Sequence, residues 1–150
     1  MEAVTFPTPE VVDFLSTKMV ALRVAFDHPS LAKEFRIKWT PTLIVLDANR
    51  EEHHRTTGFL APTELIPSLL LGMAKVQFNT DQFEPALALL DTLLFAHGES
   101  AAAPEAIYLQ GVSRYKTTKT AQPLKLAYEK LAADYPDSEW TQRATPYRLL

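Results

Sequence analysis

The chain has 150 residues, of which 47% are hydrophobic and 22% are charged, and its formal net charge is −3. This balance is typical of a globular protein and excludes a basic field for nucleic acid or a polybasic segment for anionic lipid. No apolar run approaches the roughly 20 residues that span a bilayer, and no secretory signal is evident, so we expect a cytoplasmic protein without nucleic-acid or membrane partners.

Cysteine is absent from the sequence. Its absence excludes disulfides, cysteine-ligated zinc and a thiolate nucleophile in this chain. The serines lack a nucleophile-elbow context, and the four glycines do not form a phosphate-binding loop. We therefore expect no catalytic residue, no metal and no cofactor.

The first 60 residues alternate between helical and β-type patterns. Leu43 to Leu46 is a nearly continuous apolar run, which suits a strand covered on both faces. In chain order we expect a helix over 9–18, a strand over 19–26, a short helix over 29–36, a strand over 43–46, a hairpin turn over 47–52 and a strand over 55–59.

From Thr63 onward the apolar residues recur at helical spacing. Pro67 limits how early the first of these helices can begin, because proline is comfortable only in the first turn, and we expect a start near residue 64. Further helices are expected over 82–97, 104–115 and 123–135, with a short one before Pro146.

The helical part contains an internal repeat. The segment from Phe83 aligns with the segment from Ala121, 38 residues further on, and the segment from Leu71 aligns with that from Tyr108 at an offset of 37. A period in the high thirties with two helices in each unit predicts stacked helical hairpins.

Lys38 to Asp47, which contains Trp39-Thr40-Pro41-Thr42, resembles the thioredoxin-fold strand that begins with a cis-proline. The elements expected on either side resemble those that flank this strand in the family. The resemblance implies a fold class of α/β plus all-α. An incomplete thioredoxin-like layer of about three strands (1–72) would precede tetratricopeptide-like hairpins (73–150), with the first helix shared.

The resemblance also implies a peptide-binding loop formed by Trp39, Thr40 and Pro41. X–Pro bonds tolerate the cis form far better than other peptide bonds. A cis bond before Pro41 would turn the backbone of Thr40 outward, where its N–H and C=O could pair with an extended polypeptide. The alternative is a trans proline that starts a strand, with Trp39 as a core or rim aromatic.

One part of the thioredoxin pattern is missing. Nothing before Val4 can serve as the strand that ends in Cys-X-X-Cys, so an N-terminally truncated thiol–disulfide oxidoreductase is one expectation. Without that central strand, the strands over 19–26 and 43–46 have no shared neighbour. We expect them to pair directly, to associate with a partner or a second copy, or to be partly molten.

The helical half resembles tetratricopeptide repeats. Ala74 and Gly111 occupy the small position of the first helix, Phe78 and Tyr115 the aromatic position, and Ala86 the small position of the second helix. Leu124 replaces that small residue in the second unit, so the fit is loose. The resemblance implies a groove for a protein or peptide partner, and the alternative is that these residues only pack helix on helix.

His53 and His54, beside Glu51 and Glu52, suggest a metal site at first sight. Adjacent residues of a strand point to opposite faces, so we expect a solvated turn instead. Three hypotheses follow for the whole chain. It is a redox-inactive interaction module, a fragment of an oxidoreductase, or a structural capping arrangement without a binding groove.

Overall fold

The computed structural model describes residues 1–150. Seven α-helices and one 3-10 helix account for 58% of the chain. The helices are α1 (Pro9–Lys18), α2 (Leu31–Glu34), α3 (Pro62–Asn79), α4 (Phe83–His97), α5 (Ala103–Thr118), α6 (Gln122–Asp134) and α7 (Glu139–Ala144), followed by the 3-10 helix Thr145–Leu149.

The sheet has only two strands, β1 (Thr42–Leu46) and β2 (Glu52–Thr57), which pair antiparallel. The expected layer of about three strands is therefore wrong. The segment over 19–26, which was expected to be a strand because it is apolar and rich in β-forming residues, forms none. A strand needs a neighbour to receive its backbone hydrogen bonds, and this segment has none.

The turn between β1 and β2 is held by a side chain. Asp47 Oδ1 accepts hydrogen bonds from the backbone N–H groups of Asn49 and Glu51, each at 2.9 Å. These bonds hold the pKa of Asp47 below its ordinary value, the Glu51 bond most of all. Arg50 completes the turn with a φ of 69°. A bulge between Val45 and Leu46 then shifts the register of the ladder.

Helix α3 begins at Pro62, earlier than expected, and Pro67 lies inside it. Pro67 cannot donate the helical hydrogen bond to the carbonyl four residues before it. Its side chain is fully buried, and this burial compensates for the missing bond. Helices α3 to α6 pack against their sequence neighbours, and α7 covers α5 and α6.

Helix α3 lies between the other long helices and the β1–β2 hairpin. One side packs on α4 and the other on the β1–β2 hairpin. Gly72 makes the second contact close, since a Cβ on this residue would lie 2.7 Å from Val45 Cγ2 and 3.1 Å from His54 Cβ. Leu65 and Leu69 extend the same side of α3 into a small cluster with Val11 of α1.

Candidate functional site

The loop from Trp39 to Pro41 lies at the surface, immediately before β1. The side chain of Trp39 is 66% exposed, and Thr42 Oγ1 donates a hydrogen bond of 2.6 Å to the Trp39 carbonyl. The Thr40–Pro41 peptide bond is cis, as the Thr-Pro motif led us to expect. The loop therefore presents a large aromatic side chain next to the first residue of a strand.

The edge of β1 that faces away from β2 has no partner strand. Gly58 N–H donates to the Pro41 carbonyl at 2.8 Å, so this pair belongs to the hydrogen-bonded positions of the ladder. Inward-facing and outward-facing peptide groups alternate along an antiparallel strand. The N–H and C=O groups of Thr42 and Ile44 therefore point outward, where they can receive an extended polypeptide.

A second unpaired feature is the extended segment Met19 to Phe26. Every residue from 20 to 30 is exposed. Within the segment, large apolar side chains alternate with small or charged ones, and the exposed fractions are 100% for Val20, 79% for Leu22, 38% for Val24 and 70% for Phe26. This is the pattern of a strand with one apolar face, in a segment that has no strand beside it.

The β1–β2 hairpin meets α3 through a chain of polar side chains. His54 Nε2 lies 3.1 Å from Ser68 Oγ, and His54 Nδ1 lies 3.3 Å from Lys75 Nζ. Lys75 forms a salt bridge of 2.5 Å with Glu105 of α5. Thr56 Oγ1 lies 3.1 Å from Ser68 Oγ. These five side chains, here called the polar seam, connect β2, α3 and α5.

The serine and histidine of the polar seam resemble part of a catalytic triad, but the proton lies on the wrong nitrogen. An ammonium group can only donate, so Lys75 makes His54 Nδ1 an acceptor and places the ring proton on Nε2. A base that activates serine needs a lone pair on the nitrogen facing the hydroxyl. His54 instead donates to Ser68, which makes the polar seam a structural contact.

Burial lowers the pKa of His54 from its ordinary value to about 4, and the positive charge of Lys75 acts in the same direction. His54 is therefore neutral at neutral pH, in agreement with the hydrogen bonds described. The polar seam was not predicted from the sequence. His54 and Thr56 lie two residues apart on one strand face, and Ser68 and Lys75 lie seven residues apart on one helix face. This spacing indicates that each pair can contribute to one polar contact between the strand and the helix.

Alternation of side chains along a strand predicts that His53 and His54 point to opposite faces, but both contact α3. The bulge leaves His53 without a position in the ladder. Its Nδ1 lies 3.0 Å from Asn79 Nδ2 on α3, the helix that His54 also contacts. His53 Nε2 lies 3.4 Å from Asp47 Oδ2. No three His, Asp or Glu side chains converge as metal ligands anywhere in the chain.

The repeat residues lie in different surroundings. Ala74, Ala86 and Gly111 are buried between helices. A Cβ on Gly111 would lie 2.5 Å from the Ala127 Cβ, so this glycine lets α5 and α6 approach each other closely. Phe78 packs edge-to-face against Phe83 with 5.5 Å between ring centroids, whereas Tyr115 is 38% exposed.

The hairpin and the C-terminal helices cover part of the surface of α3 and α5, and a concavity of about 640 Å³ remains where the start of α3 meets the end of α4. The hairpin covers α3 through the polar seam, and the 3-10 helix covers part of α5, where the Tyr147 and Tyr108 hydroxyls lie 3.0 Å apart. Trp140 of α7 also packs on Tyr108, with ring centroids 5.2 Å apart. The accessible features without a partner include the edge of β1, the loop before it and the segment Met19 to Phe26.

Comparison of the chain with protein-family models, curated proteins and solved structures finds no match. Among the helices, none combines the length and the apolar character needed to cross a membrane. The functional interpretation therefore rests on the geometry of the chain itself.

Proposed function

We propose that this protein is an interaction module that binds an extended polypeptide along the free edge of β1. The observation that supports this most directly is the outward orientation of the Thr42 and Ile44 peptide groups on an edge without a partner strand. A strand added to such an edge gains main-chain hydrogen bonds along its whole length. The half-buried side chains of β1 hold that edge in an extended conformation before the partner arrives.

The loop beside the edge supports the same proposal. Trp39 is among the most exposed aromatic side chains, and it immediately precedes Thr40 and Pro41. Exposed aromatic side chains that lie at a surface are efficient contacts for partner side chains. A polypeptide that pairs with β1 and continues past Pro41 passes over Trp39. The cytoplasmic location expected from the sequence remains part of this proposal.

A proline at position 44 tests the edge directly. Ile44→Pro removes an N–H that points away from β2, so the ladder loses no hydrogen bond but the incoming strand does. Ile44→Ala is the matched control, because it also shortens the side chain but keeps the N–H. We expect peptide binding, measured by fluorescence anisotropy, to weaken strongly in Ile44→Pro and only slightly in Ile44→Ala.

Hydrogen exchange provides an independent readout. A bound strand should slow exchange at the amides of Thr42 and Ile44 and leave the amides of α5 unchanged. Equal binding by both Ile44 variants, with no protection at these two amides, would show that the edge of β1 is not the binding site. The oxidoreductase-fragment hypothesis stays a separate prediction, because this chain contributes no thiol.

A further inference from the structure

Three cations precede the loop without a salt-bridge partner. Lys33, Arg36 and Lys38 are exposed, and none of them has a carboxylate within salt-bridge distance. The one carboxylate among them, Glu34, is 2.7 Å from Arg50. This segment therefore carries uncompensated positive charge in a chain whose net charge is −3.

Two of these cations line a surface concavity of about 470 Å³ between α2 and β2. Arg55 also lines it, but Arg55 is already bound to the Glu52 carboxylate and to the Phe35 carbonyl. Arg36 acts on Glu52 from a longer distance and adds to the lowering of its pKa, which Arg55 causes for the most part. Lys38 therefore has no neighbouring carboxylate as a partner, and Arg36 has only the more distant Glu52.

The concavity and the edge of β1 are joined by the exposed loop. Lys38 is the residue before Trp39 and lies four residues from Thr42, so the two are at most about 14 Å apart. A strand that pairs with Thr42 and Ile44 and continues for a few residues past Pro41 reaches Lys38. Carboxylates at that end of the partner would meet the unpaired cations.

We propose that the partner is an extended segment with acidic residues flanking the end that passes over Trp39. This inference rests on the proposed function and names the chemistry of its ligand. The main-chain hydrogen bonds of the β1 edge hold any extended chain, and Lys38, with Arg36 beside it in the same concavity, selects the acidic one. Salt bridges at an exposed site contribute to selectivity and association rate, and they weaken as salt is added.

A second copy of this chain fits the same surface less well. The strand it could donate, the segment Met19 to Phe26, has Lys18 before it and a single carboxylate, Asp27, directly after it, while its Arg23 is paired with Glu2 at 3.1 Å. One carboxylate can pair with only one of the two cations of the concavity, Arg36 and Lys38. The charge pattern therefore favours a heterologous acidic partner over self-association.

The test uses the intact chain and three synthetic peptides with one alternating Val-Thr core. Two glutamates, two glutamines or two lysines follow the core. We expect the glutamate peptide to bind about three- to tenfold more tightly than the glutamine peptide, as two exposed ion pairs allow. The lysine peptide should bind most weakly, and the difference should shrink in high salt.

Lys38→Glu should abolish or reverse the preference. Lys116→Glu, an equal charge change at an exposed position of α5, should preserve it. Equal binding of all three peptides would overturn the acidic preference and leave the proposed function standing. If no peptide binds, both are overturned. A dimer that Leu22→Lys dissolves and the glutamate peptide does not displace would assign the edge to a second copy and also overturn this inference.

Discussion

The hairpin half, residues 1–60, and the helical half, residues 62–150, differ in how far they bury their apolar side chains. Of the 24 buried residues, only Thr5 and Val11 belong to the hairpin half. Of the 13 exposed large hydrophobic residues, eight belong to it. Nearly all of the buried core therefore lies in the helical half.

The difference follows from where each type of element finds its hydrogen bonds. A helix pairs its backbone within itself and needs neighbours only for one apolar stripe. A strand needs a neighbour for its backbone as well as for its side chains. A two-stranded sheet and an unpaired extended segment leave both requirements open, and for this reason the proposed binding surface lies in the hairpin half.

The largest expected effect is in the helical core. Leu131→Ala removes a side chain with no exposed surface between α6 and α7 and should lower the free energy of unfolding by about 2–5 kcal/mol. Leu22→Ala, the same change at a 79% exposed position, should leave it nearly unchanged. Urea unfolding of both variants measures this contrast, and similar losses would contradict the division into two halves.

The next largest loss of stability is expected at the contact between α3 and the β1–β2 hairpin. Gly72→Ala places a Cβ 2.7 Å from Val45 Cγ2, so the hairpin must move away from α3, at an expected cost of about 1–3 kcal/mol. Val45→Ala in the same chain removes the atom that clashes and should recover part of the loss. Thermal unfolding of the single and double variants checks this. Simple addition of the two losses would argue against the close contact.

A smaller, pH-dependent effect is expected from the polar seam. The folded pKa of His54, about 4, lies below the ordinary value of 6.5, so the unfolded chain binds more protons between these pH values. The contribution of His54 to stability is therefore complete above pH 6.5 and is lost as the pH drops toward 4. His54 is partly open to solvent, so we expect a loss of about 2 kcal/mol.

His54→Gln should flatten that part of the pH profile, and His28→Gln, a change at an exposed histidine, should leave it as in the wild type. Urea unfolding between pH 7 and 4 gives the comparison. If the free energy of unfolding of His54→Gln still falls between pH 7 and 4 as in the wild type, the pH dependence belongs to other groups.

The smallest effect on stability is expected at the segment Met19 to Phe26. Leu22→Lys and Phe26→Lys replace side chains that are 79% and 70% exposed, so folding stability should change by less than about 0.5 kcal/mol. Any self-association and binding of a hydrophobic dye should nevertheless fall, because this segment exposes a strand-like apolar face. Sedimentation and dye fluorescence measure both. A monomeric wild type that takes up no dye would contradict this.

Helix positions were largely predictable from the sequence, while the sheet and its surroundings were not. The spacing of leucines between residues 65 and 131 places α3 to α6 to within a few residues. The sequence predicts too late a start for α3, because the helical hydrogen bond that Pro67 cannot donate is visible in the sequence and the burial of its side chain is not. The bulge at Val45 and Leu46, which brings His53 to α3, left no visible signal in the sequence.

Local patterns were enough to predict which segments are helical and which are extended, because both depend on periodicity and on the positions of proline and glycine. They also placed the exposed loop at Trp39, Thr40 and Pro41. The three-dimensional fold was needed to show that Met19 to Phe26 remains unpaired, that one edge of β1 is free and that His54 contacts Lys75. Strand pairing and buried polar contacts join residues distant in the chain, and no local pattern specifies which partners meet.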